Sequence, residues 1–296
     1  MATTISFINF KGGVGKTTLC VEIGASLASK FNERVLLIDL DPQTNATLYL
    51  MREKDWKEHC ETKGSLYNFF SASLKGEVFD LSQIVVKAPV NHWQLKNFDL
   101  LPSSLELFGI DLELATRFGH GDLKPKLFLR DALKDLQSDY DYVLIDCPPN
   151  LYLATQNGLF ASDGYVIVAL AEYLSTVGIS YIQRAIGKIF DDANERLGMA
   201  GSAARFRVPE LVGIIFNRLY SQERGTVAEE TTMIRIEMQY GDKVFKTKIP
   251  RSTRIAERPG LSQKIPIAVS GYAADRAYEQ RMAEVAEEFY DRLTAP

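Results

Sequence analysis

Cysteine is scarce in this chain of 296 residues: Cys20, Cys60 and Cys147 are odd in number, far apart, and without a CxxC pair or a neighbouring histidine. That excludes a disulfide framework and gives no ligand spacing for zinc or for a cluster held within one chain. A reducing cytoplasm fits such usage. Charge of one sign is lacking too: 34 lysines and arginines stand against 38 acids, a net charge of −4, so any DNA binding must come from a local patch. No run approaches the roughly 18 apolar residues of a membrane span, and MATTISFINF has no basic start, apolar core and cleavage site of a secretory signal. Neither spanning nor export is expected. There is no internal repeat, low-complexity tract or Pro/Gly/Ser linker. What is present is apolar content of 46%, enough to bury a large core.

The pattern alternates. Thr4 to Phe10 is a β-rich apolar run, a glycine-rich turn follows, and from Lys16 to Lys30 the residues Leu19, Ile23 and Leu27 recur at helical spacing. Asn32 and Glu33 mark the turn into RVLLIDL, Arg34 to Leu40, whose near-continuous apolarity suits a parallel strand covered on both faces. Similar runs at Phe98 to Leu101, Tyr142 to Ile145, Tyr165 to Leu170 and Leu211 to Phe216 predict an α/β fold with a doubly wound, mostly parallel sheet flanked by helices, in one domain over 1–296. The charged stretch Met51 to Lys63 reads as a surface helix or insertion. Ala273 to Leu293 sets Tyr278, Met282, Val285 and Phe289 on one helical face, as a docking helix would.

Between the first strand and helix stands Lys11-Gly12-Gly13-Val14-Gly15-Lys16-Thr17-Thr18, where a Walker A loop cradles phosphates with backbone N–H groups at a helix N-terminus. Lys16 would reach the β and γ phosphates of ATP, and the Thr17 hydroxyl would ligate Mg²⁺. The pattern GxxxxGK[ST] wants glycine where Phe10 stands. KGGVGKTT resembles instead the deviant Walker A of the ParA/MinD group of P-loop ATPases, whose signature lysine corresponds to Lys11. The resemblance implies that Lys11 crosses a dimer interface to the phosphates on the other subunit, offsetting charge in the transition state as an arginine finger does.

Asp39 and Asp41 end the second strand in DLDPQ, followed by Thr44-Asn45-Ala46-Thr47, and carboxyl ends of parallel strands are where such sheets place ligands. The segment is similar to the family's DxDPQ motif, which implies that Asp41 orients the attacking water and Asp39 lies near the Mg²⁺ shell. A polar strand end capping a helix is the other reading of both. YVLI running into Asp146-Cys147-Pro148-Pro149 has the form of a Walker B strand, with Asp146 holding the Mg²⁺ hydration shell. Cys147 reads as a packing residue, and His59, His92 and His120 receive no role. LVGIIFNR resembles the family strand whose terminal asparagine reads adenine, with Pro250 packing near the ring; an amide offers the base both donor and acceptor, and a turn asparagine is the alternative for Asn217.

The resemblance runs from Thr4 to about Pro266, and LLPSS, AEYLS and IPRSTR favour ParA-like proteins over other members. It implies an ATPase that forms an ATP-dependent homodimer, binds non-specific DNA, answers to a ParB-like centromere-binding or adaptor protein, and is cytoplasmic and nucleoid-associated when ATP-bound. The P-loop begins at Lys11, so no N-terminal helix-turn-helix domain is expected. The last helix carries more acids than bases, unlike a basic membrane-binding helix, so no membrane partner is expected. From Gly241 to Lys264 seven bases face two acids. That run is either a solvated face or a phosphate-contacting patch, with Arg251 and Arg254 the best candidates and Arg224 a further one. Plasmid or chromosome segregation is the expected task. Positioning of another cargo, such as a carboxysome or chemotaxis cluster, and a metabolic P-loop enzyme resembling dethiobiotin synthetase, are the alternatives.

Overall fold

A computed structural model describes residues 1–110, 113, 122–220, 226–260 and 264–295. Among them, the chain runs β1 (Thr3–Ile8), α1 (Lys16–Lys30), β2 (Val35–Asp39), α2 (Asn45–Leu50), α3 (Glu53–Thr62), α4 (Leu66–Lys75), β3 (Phe98–Leu101) and α5 (Phe128–Leu133). It continues through β4 (Tyr142–Asp146), α6 (Leu153–Ala161), β5 (Gly164–Ala169), α7 (Tyr173–Met199), β6 (Glu210–Phe216), α8 (Val227–Tyr240), α9 (Thr253–Glu257) and α10 (Arg276–Thr294). The strands form one parallel sheet in the order β3-β2-β4-β1-β5-β6. Chain order reverses at β1, so the turn leaving β1 opens into the crevice where such sheets bind ligands.

Strand alternation feeds two cores. Phe7, Leu37, Leu144 and Val168 pack with α1 and α10 on one face, whereas Ile38, Ile145 and Ile167 pack with α4 to α8 on the other. The doubly wound expectation is met, and each of the six apolar runs becomes a strand. β1 stops at Ile8 rather than Phe10 because Asn9 turns the chain: its amide donates to the Val168 carbonyl and its Oδ1 accepts from the Lys11 N–H. The charged stretch after Met51 forms α3, but it is anchored and not merely superficial; Trp56 is buried and its indole N–H donates to the Ser103 carbonyl at 2.9 Å. α10 docks as its apolar face predicts, with Met282, Val285 and Phe289 buried, and it begins at Arg276 after a short 3₁₀ turn. Phe289 stacks on Phe7 of β1, and Tyr290 on Phe31 at the end of α1. Among the described residues no helix is long and apolar enough to cross a membrane.

One buried carboxylate ties the P-loop helix to the distant chain. Glu22 of α1 is fully buried and accepts from the Ile267 and Ala268 N–H groups and from the Tyr49 hydroxyl, all within 2.9 Å. Burial raises its pKa, and the same hydrogen bonds pull it back down. Glu22→Ala would strand three buried donors, so thermal unfolding should show a loss of about 3 kcal/mol or more. An unchanged Tm would mean that water replaces the carboxylate.

Candidate nucleotide site

The loop between β1 and α1 needs its glycines. Gly13 and Gly15 adopt φ of +73° and +93°, and a Cβ on Gly15 would lie 2.1 Å from the Asn217 Nδ2. Such left-handed positions turn consecutive N–H groups toward one centre at the start of α1, which carries no acidic residue in its first turn. A cavity of about 300 Å³ opens there, lined by Lys16, Thr17, Thr18, Asp41, Asn217 and Pro250 together with Gly12, Gly13 and Gly15. Residues drawn from four separate sequence motifs thus meet at one place. Val14 is buried beneath the loop, and Lys11 lies outside the cavity lining.

The three carboxylates take distinct positions. Asp39 and Asp146 are register partners on adjacent strands, both fully buried. Asp39 Oδ2 accepts from the Thr47 N–H at 2.8 Å and the Thr47 hydroxyl at 2.7 Å, while Oδ1 accepts from the Asp41 N–H. The capping reading therefore describes Asp39 in this structure: it holds the first turn of α2, and its oxygens are engaged. Burial, then the neighbouring Asp146, push its carboxyl well above the usual range. Asp41, nearly buried, faces the cavity and accepts from the Gln43 N–H at 2.9 Å.

Asp146 is different. Both its oxygens are buried and, among the described residues, accept no hydrogen bond at normal distance. Burial pushes its carboxyl up to about 7, against the lowering influence of the Thr17 hydroxyl and the Lys16 ammonium. Orphaned buried carboxylate oxygens beside a threonine hydroxyl are the donor set that Mg²⁺ takes, so these residues fit the ion. Without a cation the arrangement opposes folding. The folded-state carboxyl titrates near 7 and the ordinary one at 3.8, so stability declines as pH rises through that window. Asp146→Asn should accordingly raise the Tm of the nucleotide-free chain above pH 7, by the equivalent of a few kcal/mol, with the gain gone below pH 4. A gain that grows as pH falls would contradict this assignment.

Lys11 meets Glu172, the residue before α7, in an ion pair of 2.5 Å with both side chains half-exposed. Nothing in sequence spacing pointed to Glu172 as its partner; they lie 161 positions apart. Asn217 is buried, and its amide is spent on the protein: Nδ2 donates to the Val14 carbonyl at 2.8 Å and Oδ1 accepts from the Arg218 N–H. A base reaching Asn217 would find only the remaining N–H and lone pair. Pro250 lines the same cavity, bridged to Leu219.

The basic run does not form one bare patch. Arg258 is buried against Asp275, and Arg254 donates to the same carboxylate at 2.7 Å. Lys248 pairs with Glu237. Arg251 is exposed, its guanidinium 5.4 Å from the Tyr220 ring centroid. Arg224 lies outside the described residues. The acids that temper the run stand just beyond the counted window, four residues before it and eleven after it. Cys147 behaves as a packing group, burial pushing its thiol up to about 12.

The model of an AAA domain matches residues 2–199. The chain is 32% identical over 265 residues to the sporulation initiation inhibitor protein Soj of Bacillus subtilis, spanning 90% of each. It is 30% identical over 290 residues to the chromosome partitioning protein ParA of Caulobacter vibrioides, spanning 97% of this chain and 95% of that one. This chain belongs to the ParA/MinD family of P-loop ATPases. The fold agrees: cobyrinic acid a,c-diamide synthase from Mycobacterium smegmatis, with bound ATP analog and magnesium, superposes with a TM-score of 0.71 at 25% identity, covering 100% of this chain and 96% of that one. The chain of this ParA/MinD-family member presents Lys16 inside the cavity and Lys11 outside its lining.

Proposed function

We propose that this protein is a DNA-tethered positioning switch. ATP draws two copies into a dimer that binds DNA without regard to sequence, and hydrolysis, stimulated by a ParB-like partner, returns the chains to monomers that release it. The cargo is a plasmid or chromosome. The observation that carries the reading is the division of the two lysines. Lys16 is buried at the phosphate cavity, whereas Lys11 stands half-exposed outside its lining, and that division supports a role for Lys11 toward phosphates bound to a second copy. The curated relatives named for partitioning and sporulation control support the same reading.

Within the site, the P-loop N–H groups and Lys16 bind phosphate, and Asp41 orients the attacking water and accepts its proton. Thr17 and Asp146 would hold Mg²⁺, which when bound neutralises charge on the phosphate oxygens. Asp39 supports them by fixing the turn that carries Asp41. Arg251 is the proposed DNA contact with the most open guanidinium, and Arg254 contributes from its pairing with Asp275. α10 packs Met282, Val285 and Phe289 into the core.

The test is binding to random-sequence duplex DNA at two salt concentrations, with ATP, with ADP and without nucleotide. Tight binding in ATP alone that weakens steeply with salt is expected. Absence of binding in every state would favour a second reading, an ATP-using metabolic enzyme, which the structural likeness to the diamide synthase brings forward. That enzyme would turn over ATP only with an organic substrate.

A further inference from the structure

Arg218 is exposed, follows the buried end of β6, and has a backbone φ of +61°. A long side chain rarely accepts that left-handed geometry, which persists only where the surroundings enforce it. Here the enforcing contacts are on the phosphate loop. The Arg218 N–H donates to Asn217 Oδ1, Asn217 Nδ2 donates to the Val14 carbonyl, and Arg218 Nη1 donates to the Gly13 carbonyl at 2.5 Å. Two consecutive side chains just after β6 therefore grip two consecutive carbonyls of the P-loop. In a trans peptide the N–H points opposite to the carbonyl, so fixing the Gly13 and Val14 carbonyls also fixes the direction of the N–H groups that follow them.

We propose that Arg218 is a positioning residue for nucleotide binding: its strained backbone and its guanidinium together hold Gly13 and Val14 in the curl that receives phosphate. This rests on the reading of the cavity as the ATP site. Arg218 lines both the nucleotide cavity and a neighbouring groove of about 840 Å³, so it stands between the loop and solvent rather than deep in the core. Its guanidinium donates to the backbone of the loop, so on this proposal its removal acts on affinity more than on the chemical step.

Arg218→Gly separates this role from a purely structural one. Glycine accepts φ of +61° without strain, so the nucleotide-free variant should unfold at or above the wild-type temperature. Its Kd for Mg²⁺-ADP, measured by titration calorimetry, should nevertheless rise about tenfold, the loss expected for one charge-assisted hydrogen bond. KM for ATP should rise alongside, with kcat within about twofold. Arg218→Lys, which keeps a cationic donor, should recover much of the affinity, whereas Arg218→Met should not. A wild-type Kd in the glycine variant, or a Tm that falls in step with affinity, would overturn the proposal. Should the unaltered protein fail to bind Mg²⁺-ADP, the nucleotide reading itself would fall, and this inference with it.

Discussion

Lys16→Ala is expected to remove measurable ATP binding while leaving the fold intact. Lys16 is only 6% exposed, and its charge acts on Asp146 at the neighbouring strand end. A charge so desolvated is worth most to a ligand that brings the opposite charge, and truncating one side of a buried charge pair costs about 2–5 kcal/mol. At 1.4 kcal/mol per decade this is a loss of roughly thirty- to several-thousand-fold. Alanine at the start of a helix is well tolerated, so the nucleotide-free Tm should move little. Affinity within tenfold of wild type, by calorimetry, would mean that the loop N–H groups alone hold the phosphates. It would also move the deciding charge to Lys11.

Asp41→Ala should produce the opposite profile, with binding and dimerisation kept and turnover lowered by about 10² to 10⁴, the span of general-base contributions. Asp41 faces the cavity and, among the described residues, its side chain accepts one hydrogen bond, from the Gln43 N–H, leaving an oxygen for water. On the proposed reading the variant stays on DNA in ATP. Asp41→Asn is the companion, because it preserves the acceptor for Gln43 and removes the basicity. Equal loss in both variants assigns the effect to proton acceptance. Rapid turnover in either would shift the role to another carboxylate, and Asp39 is poorly placed to take it, being occupied by Thr47.

Much of the frame was legible because parallel strands covered on both faces read as unbroken apolar runs, and each run became a strand. The nucleotide cavity was legible for a related reason: its side chains sit at the carboxyl ends of those strands or in the loop after the first. What escaped was set by pairing across the chain. Trp56 looked like part of a charged surface segment, but its indole found the Ser103 carbonyl on the turn after β3. Glu172 could not be paired with Lys11 from spacing, since the contact exists only because β5 lies beside β1. The basic run was overcounted because charge was summed along the chain, while Asp275 and Glu237 enter in space. Arg218 was hidden because backbone dihedrals carry no sequence label except at glycine and asparagine.

The stacking of Phe289 on Phe7, and of Tyr290 on Phe31, bears on synthesis. β1 and α1 leave the ribosome long before the helix that covers their outer face, which is made of residues 276–294. A nascent chain therefore carries its phosphate loop on a half-clothed scaffold until residues 276–294 have been made. Such contacts between distant segments slow closure of the core and leave apolar surface for chaperones to guard. Nucleotide competence should then arrive late and abruptly, with a ribosome-bound chain stopped short of residue 276 unable to retain ATP.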